Sequence, residues 1–69
     1  MRGMNFDTRG EVTMLVAAAG GPSELARRMG FASRQRIANW VSKGYIPAMV
    51  VRAYRPMFRR ILASPVRRR

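Results

Sequence analysis

Glycines at three positions divide the chain into four segments, and the two inner ones are too short for more than a few helical turns each. Gly20, Gly30 and Gly44 each follow apolar residues at helical spacing, and glycine most readily adopts the left-handed conformation in which many helices end. Pro22 and Pro47 come soon after two of these glycines, and proline suits the start of a helix, where its missing N–H is not needed. Strand-like alternation is not evident. The pattern predicts an all-α fold.

The first predicted helix begins at a capping box formed by Thr8 and Glu11. We expect the Thr8 hydroxyl to accept a hydrogen bond from the amide of Glu11, and the Glu11 carboxylate to accept one from the amide of Thr8. Four apolar residues then fall on one side of the helix: Val12, Leu15, Val16 and Ala19. Gly20 is expected to end this helix.

Two further short helices follow, on either side of the connector "FAS". Gly21 is expected to cap the second helix, with Pro22 in its first position, and Gly30 to end it. Ser33 is predicted to be the N-cap of the third helix, which Gly44 ends. The inner faces are predicted to comprise Leu25, Ala26 and Met29 in the second helix, and Ile37, Trp40 and Val41 in the third.

The segment after Pro47 contains a proline that complicates its prediction. Val50, Val51 and Tyr54 share one side of a fourth helix, but Pro56 has no amide hydrogen and its ring would press on the carbonyl of Arg52. The apolar pattern nevertheless continues through Met57, Phe58, Ile61 and Leu62. Both one kinked helix and two short helices fit; we expect two, with a break near Arg55. The predicted fold is a compact four- to five-helix bundle.

The composition excludes several classes of function. The 69 residues contain no cysteine and no histidine, so disulfides and Cys/His metal sites are excluded. Only three residues are acidic, which leaves too few ligands for a hard cation and few candidates for a general base. We therefore expect no catalysis, no metal and no cofactor.

The charge of the chain predicts an anionic partner. Fourteen Lys and Arg residues oppose the three acids, giving a net charge of +11, and thirteen of the fourteen are arginine. Domains this basic usually contact phosphates or anionic lipid. The arginine fork suits bidentate contact with phosphate and with guanine edges. A GC-rich genome is an alternative explanation for the excess of arginine over lysine, but it does not account for the shortage of acids.

Hydropathy predicts a cytoplasmic protein with three regions. No segment reaches the roughly 18 to 20 apolar residues of a membrane span, and "MRGMNFD" reaches an acid before any apolar run, unlike a signal peptide. We expect a flexible N-terminal segment over 1–7, a folded domain over 8–63 and a disordered basic tail over 64–69.

The pattern from the second to the fourth segment resembles the helix-turn-helix of Cro-type and lambda-repressor-like regulators of phages and prophages. The residues that carry this resemblance are Leu25, Ala26, Met29, Gly30, Ile37, Trp40, Gly44 and Pro47. It covers about residues 11 to 62. One departure is the distance from Gly30 to Ile37, which is one residue longer than is usual in the family. Either the connector is longer or the recognition helix starts one residue late, which shifts the DNA contacts by one position.

A helix-turn-helix needs a small residue where its two helices approach and large apolar residues on the inner side of the second. We assign this structural role to Leu25, Ala26, Gly30, Ile37 and Trp40. With Ile37 and Trp40 facing inward, the helical period places a second set of residues on the outer side of the helix. We predict that these residues contact bases: Ser33, Arg34, Gln35, Ala38 and Asn39. Predicted phosphate contacts are Gly21, Ser23, Arg27, Arg36 and Lys43. The alternative for the predicted base contacts is a helix face that is polar only because it is solvated. The alternative for Arg27 is that it only increases solubility.

The apolar residues near the C-terminus predict self-association. Met57, Phe58, Ile61 and Leu62 exceed what a three-helix core of this size needs, and if exposed they would form an interface. We expect a homodimer through this segment, reading two half-sites about one helical turn, roughly 34 Å, apart. The alternative is a C-terminal helix that folds back on its own core.

The resemblance and the charge together predict a repressor that binds a double-stranded DNA operator, placing its recognition helix in the major groove, in the cytoplasm or nucleoid of a bacterial host. An alternative is a basic protein that binds RNA or the nucleoid without sequence preference, for which charge alone suffices. Trp40 could then be a stacking platform for unpaired bases, although its spacing favours burial. A cationic amphipathic protein acting at membranes is a third possibility, disfavoured by the internal Gly and Pro residues.

Overall fold

The computed structural model describes residues 5–66, which form four α-helices. These are α1 (Arg9–Ala19), α2 (Pro22–Met29), α3 (Gln35–Lys43) and α4 (Ala48–Ala63). Residues 5–66 contain no strand. The all-α fold predicted from the sequence is confirmed, with four helices rather than five.

The three predicted glycine caps are present. Gly20, Gly30 and Gly44 follow the last residues of α1, α2 and α3 with φ of 102°, 82° and 85°, respectively. Pro22 is the first residue of α2, as predicted. These helix ends depend on local backbone preference, which is why the sequence predicts them well.

The capping box at the start of α1 differs from the prediction in one partner. The Thr8 hydroxyl accepts from the amide of Glu11 at 3.3 Å, as expected. The Glu11 carboxylate accepts from the amide of Asp7, also at 3.3 Å, rather than from that of Thr8. The chain before α1 is therefore held to the helix one residue earlier than predicted.

The prediction of two helices around Pro56 is wrong, because α4 runs through this proline without interruption. Pro56 lies on the exposed side of the helix, where water can solvate the carbonyl that has lost its donor. On the opposite side Val51, Phe58 and Ile61 are buried. Their packing holds both halves of the helix against one core, which outweighs the local penalty of the proline.

The core lies between α1 and the other three helices. Its fully buried large side chains are Val12, Leu15, Leu25, Ile37, Phe58 and Ile61. Ile46, from the connector between α3 and α4, is buried as well. The sequence pattern does not predict the burial of Ile46, because a single apolar residue in a connector has no periodic partner.

Part of the segment predicted to be flexible belongs to the core. Phe6 is only 2% exposed and packs edge-on against Phe58, with ring centroids 5.2 Å apart. Its carbonyl oxygen accepts a hydrogen bond from the amide of Ile46 at 2.8 Å. The folded domain therefore begins at Phe6 rather than Thr8. Residues 1–4 lie outside the described residues.

The beginning of the predicted disordered tail is also in place. The Ser64 amide donates to the carbonyls of Arg60 and Ile61, and the Val66 amide donates to the Ala18 carbonyl at 2.8 Å. This last bond brings the chain back to the C-terminal end of α1. Residues 67–69, the rest of the predicted tail, lie outside the described residues.

The four apolar residues expected to form a dimer interface do not make an exposed patch. Phe58 and Ile61 are 1% and 2% exposed, and Met57 and Leu62 are half-buried against the same core. The expected exposed patch is absent, because α4 folds back on α1 and covers Phe58 and Ile61 itself. The homodimer stays a prediction. Across residues 5–66, no helix has the length and apolar character to cross a membrane.

Candidate nucleic-acid interface

Helices α2 and α3 form a two-helix unit joined by the five-residue connector 30–34. The predicted N-cap, Ser33, lies one residue too early, because Arg34 occupies that position and α3 begins at Gln35. Ser33 still contributes to the turn, since its hydroxyl accepts from the amide of Gln35 at 3.3 Å. The third helix thus starts late, which accounts for the additional residue between Gly30 and Ile37.

All five residues predicted to hold this unit together lie where expected. Leu25 and Ala26 are buried on α2, and Ile37 and Trp40 are buried on α3, with the indole 5% exposed. Gly30 ends α2 in the left-handed conformation. Trp40 is therefore a core residue, and the alternative of an exposed stacking platform for bases is wrong.

An aromatic cluster that the sequence pattern does not indicate supports the connector. Phe31 meets Trp40 edge-on at 6.0 Å and Tyr54 at 6.3 Å. Edge-to-face pairs at such distances stabilise packing beyond the burial of their surface. Because Phe31 lies in the connector, these contacts fix α3 relative to α2 and α4. The only sequence signal was an aromatic residue directly after a helix-ending glycine.

The five predicted base contacts are all exposed and lie together at the start and outer side of α3. They are Ser33, Arg34, Gln35, Ala38 and Asn39. The side-chain amide of Gln35 donates to the Asn39 carbonyl oxygen at 3.2 Å. This bond leaves the Gln35 carbonyl as an acceptor and the Asn39 amide group as a donor on the same side of α3. An acceptor beside a donor is the complement of the adenine edge in the major groove.

Arg36 and Lys43 lie on one flank of this surface, seven residues apart on α3. The Arg36 guanidinium stacks over the Phe31 ring, 4.8 Å from its centroid, which restricts the arginine without neutralising it. Both cations border a groove with Asn39, Trp40 and Tyr45. Their predicted role as phosphate contacts fits this position, because cations at the flank of a recognition helix meet the backbone of the groove it enters.

At the start of α2, the predicted anion site is smaller than expected. The Gly21 amide already donates to the Val16 carbonyl at 2.9 Å, so it cannot donate to a phosphate, and Pro22 has no amide hydrogen. Ser23 is exposed there, and first-turn amides have no partner within the helix. Ser23 therefore remains a candidate, whereas the prediction for Gly21 is wrong.

Arg27 is exposed but already paired. Its guanidinium donates to both carboxylate oxygens of Glu24, at 3.0 and 2.9 Å, and Glu24 is also 3.9 Å from Arg28. Both bonds come from the same nitrogen, Nη2, and Glu24 offsets one of the two positive charges that α2 presents to a polyanion. The solubilising alternative considered for Arg27 fits this geometry better than a phosphate contact.

None of the three acids lies in the connector 30–34, α3 or α4. Asp7 and Glu11 are at the start of α1 and Glu24 is at the start of α2, while neither α3 nor α4 contains an acidic residue. The exposed cations of the connector and α3 consequently face solvent with no acid on their own elements. Elements that carry cations and no acid attract a polyanion.

Arg9 contributes a contact that the sequence did not suggest. Its guanidinium donates to the Ser42 carbonyl in the last turn of α3, at 2.9 Å, where a cation also favours the negative end of the helix dipole. The contact ties α1 to the C-terminal end of α3.

Comparisons with protein families, with curated proteins and with solved structures found no match to this chain.

Proposed function

We propose that the protein is a sequence-specific regulator that binds double-stranded DNA with the outer side of α3 in the major groove. The proposal depends on one observation: α3 has two different sides. Ile37 and Trp40 hold its inner side in the core, while its outer side is polar or cationic and exposed along its length. A short helix presented in this way by a preceding helix is how helix-turn-helix proteins read base edges.

The base contacts would come from Arg34, Gln35 and Asn39. Arg34, directly before α3, is exposed and suits the O6 and N7 acceptors of guanine. Gln35 and Asn39 are hydrogen-bonded to each other, and their remaining carbonyl and amide groups would accept from and donate to an adenine edge. Each good pair of this kind discriminates against the wrong base by about 1 to 3 kcal/mol.

Phosphate contacts would orient the helix in the groove. Arg36 and Lys43 line one flank of α3, and the first turn of α2 offers the Ser23 amide and hydroxyl. Such contacts hold the protein in register on the duplex without reading its sequence. The proposed regulator acts by occupying an operator in competition with polymerase, as a Cro-type repressor in the cytoplasm would, and needs no chemistry of its own.

The test is selection of bound sites from a random duplex library, followed by binding to the selected and to a scrambled duplex. We expect a clear preference for the selected sequence. Arg34→Gln should lose roughly tenfold or more on the selected duplex, the equivalent of one base contact, and much less on the scrambled one. Arg27→Gln removes the same charge from an ion-paired position and is the matched control.

Two results would contradict the proposal. Equal affinity for the selected and scrambled duplexes would remove the sequence preference and favour a basic protein that binds nucleic acid by charge. Preference for structured RNA over duplex DNA would do the same, because the A-form major groove is too narrow for a helix. Equal losses of Arg34→Gln on both duplexes would reassign Arg34 to the phosphate backbone.

A further inference from the structure

The groove beside α3 is lined by apolar as well as by cationic side chains. Its apolar lining comes from α3, from the connector to α4 and from the first turn of α4: Trp40, Tyr45, Pro47 and Val50. Arg36 and Lys43 line the same groove. Its volume of about 290 Å³ lies at the lower end of the range of about 300 to 1,000 Å³ for small-molecule pockets. It therefore suits single side chains of a larger partner better than a cofactor.

Exposed apolar side chains lie along one edge of this groove. Among the described residues four large apolar side chains are exposed, and two of them, Tyr45 and Met49, lie within residues 45–50. Tyr45 is 44% exposed and lines the groove, and Met49, 84% exposed, directly precedes Val50. Aromatic residues and methionine are enriched at protein interfaces, and methionine adapts to irregular partner surfaces. This edge therefore has the composition of a docking surface for another protein.

The charges at the groove indicate an acidic partner. The ion pairs among the described residues join Glu24 to Arg27 and Arg28, so neither Arg36 nor Lys43 is in one. The elements that form the groove, α3, α4 and the connector between them, contain no acid. Because opposite charges on two surfaces steer their association and fix its register, a partner that brings carboxylates to these two cations is favoured.

Three other occupants fit these features less well. A second copy would bring its own cations to the groove, since the chain carries a net charge of +11. A duplex backbone is bound by charge, and it would leave Met49 either exposed or pressed against phosphates. A membrane takes up apolar side chains that project into it, whereas Trp40 borders a concave groove and is only 5% exposed.

We infer that this groove binds an acidic segment of another protein, with a large apolar side chain of that segment in the groove and its carboxylates on Arg36 and Lys43. The inference goes beyond the proposed function, and the binding itself does not depend on that function. One consequence does rest on it. Because Arg36 and Lys43 are also the proposed phosphate contacts, the acidic segment and DNA compete for them, and the partner would release the regulator from its operator.

The experiment is selection of binders to the wild-type protein from a library of random displayed peptides, without DNA. We expect the selected peptides to be enriched in Asp and Glu around a large apolar residue, and to bind more weakly as salt is added. Tyr45→Ala with Met49→Ala should lower the affinity for a selected peptide about tenfold or more, as the loss of apolar anchors does. The affinity of this groove variant for duplex DNA should change little, because its cations remain.

Met14→Ala with Val66→Ala is the matched control. It removes two exposed apolar side chains that do not line the groove, so it should leave peptide binding unchanged. Lys43→Gln tests the charge separately and should lower the affinity for the peptide while making it less sensitive to salt. Circular dichroism should show that all three variants are folded.

Selection of peptides without acids would overturn the inference, as would equal binding of a selected peptide by the groove variant and the wild type. If the groove variant instead loses duplex binding, self-association in sedimentation or binding to phosphatidylglycerol vesicles, the edge belongs to DNA, to a second copy or to a membrane, respectively, and the inference is overturned. A peptide that binds through the groove yet does not displace duplex DNA would support the docking and contradict the proposed phosphate contacts of Arg36 and Lys43.

Discussion

The hydroxyl of Tyr54 on α4 donates a hydrogen bond to the carbonyl oxygen of Met29, the last residue of α2, at 3.3 Å. The same ring stacks on Phe58 at 6.1 Å and meets Phe31 edge-on. One side chain of the last helix therefore contacts both the helix that precedes the connector and the connector itself. Through Tyr54, α4 supports the position of α3, although α4 is not part of the two-helix unit.

Tyr54→Phe separates the hydrogen bond from the ring packing. We expect it to lower the free energy of unfolding by about 1 kcal/mol, the usual net contribution of one such bond. Tyr54→Leu removes the ring contacts as well and should lower it further. Urea unfolding followed by the fluorescence of Trp40 measures both, and equal stabilities for the phenylalanine variant and the wild type would mean that the bond contributes nothing.

Gly30→Ala tests the left-handed cap that ends α2. A Cβ at Gly30 would have no atom within 4 Å, so its effect comes from φ of +82° alone, and we expect a loss of about 1 to 2 kcal/mol in the free energy of unfolding. Gly10→Ala is the control. A Cβ at Gly10 is equally unobstructed, but Gly10 lies within α1, where alanine fits the backbone and reduces the entropy of the unfolded chain. This variant should therefore be more stable than the wild type by about 0.5 to 1 kcal/mol. The same sign for both variants would contradict this explanation.

Phe6→Ala tests whether the segment before α1 is part of the core. Removing a buried phenylalanine typically lowers the free energy of unfolding by about 3 to 5 kcal/mol. This is a large share of the total free energy of unfolding of so small a domain. Phe6→Leu should retain part of this. Tyr45→Ala, at a side chain that is 44% exposed, should have a much smaller effect. Thermal unfolding by circular dichroism distinguishes the variants, and a Phe6→Ala protein as stable as the wild type would refute the assignment.

Arg36→Gln tests the phosphate contacts beside α3. The slope of the logarithm of affinity against the logarithm of salt concentration should become shallower by about 0.9, the value for one phosphate contact on duplex DNA. Preference for the selected over the scrambled duplex should not change, because the contact does not read bases. Arg27→Gln should leave the slope as it is. Fluorescence anisotropy at four or more salt concentrations measures this, and an unchanged slope for Arg36→Gln would exclude the contact.

The sequence predicts features that depend on neighbouring residues and misses those that depend on distant ones. The glycine caps, the start at Pro22 and the burial of Ile37 and Trp40 follow from local backbone preference and helical period. The burial of Phe6 and Ile46 does not, since each is a single apolar residue whose partners are far away in the chain. Continuity through Pro56 was also missed, because tertiary packing of α4 outweighs a local preference.

The candidate interface shows the same division. The helical period of α3 correctly predicts that its polar residues face outward. Whether a hydrogen-bond donor is available for DNA depends on its other partners in the protein, which the period does not indicate. Gly21 was predicted to bind phosphate, but its amide is occupied by Val16. Arg27 is held by Glu24, three residues earlier on the same helix. This pair was within reach of sequence reasoning, since opposite charges at that spacing on a helix attract each other.

The contact between Phe6 and Phe58 has a consequence for the order in which the molecule folds. A ring pair that joins the start of the domain to its last helix closes a loop containing most of the chain, and such closures come late because their entropy must be offset by contacts already made. During synthesis Phe6 emerges from the ribosome before α4, so its ring stays exposed to solvent until α4 follows. The core around Phe6 is therefore complete only after the last helix has been translated.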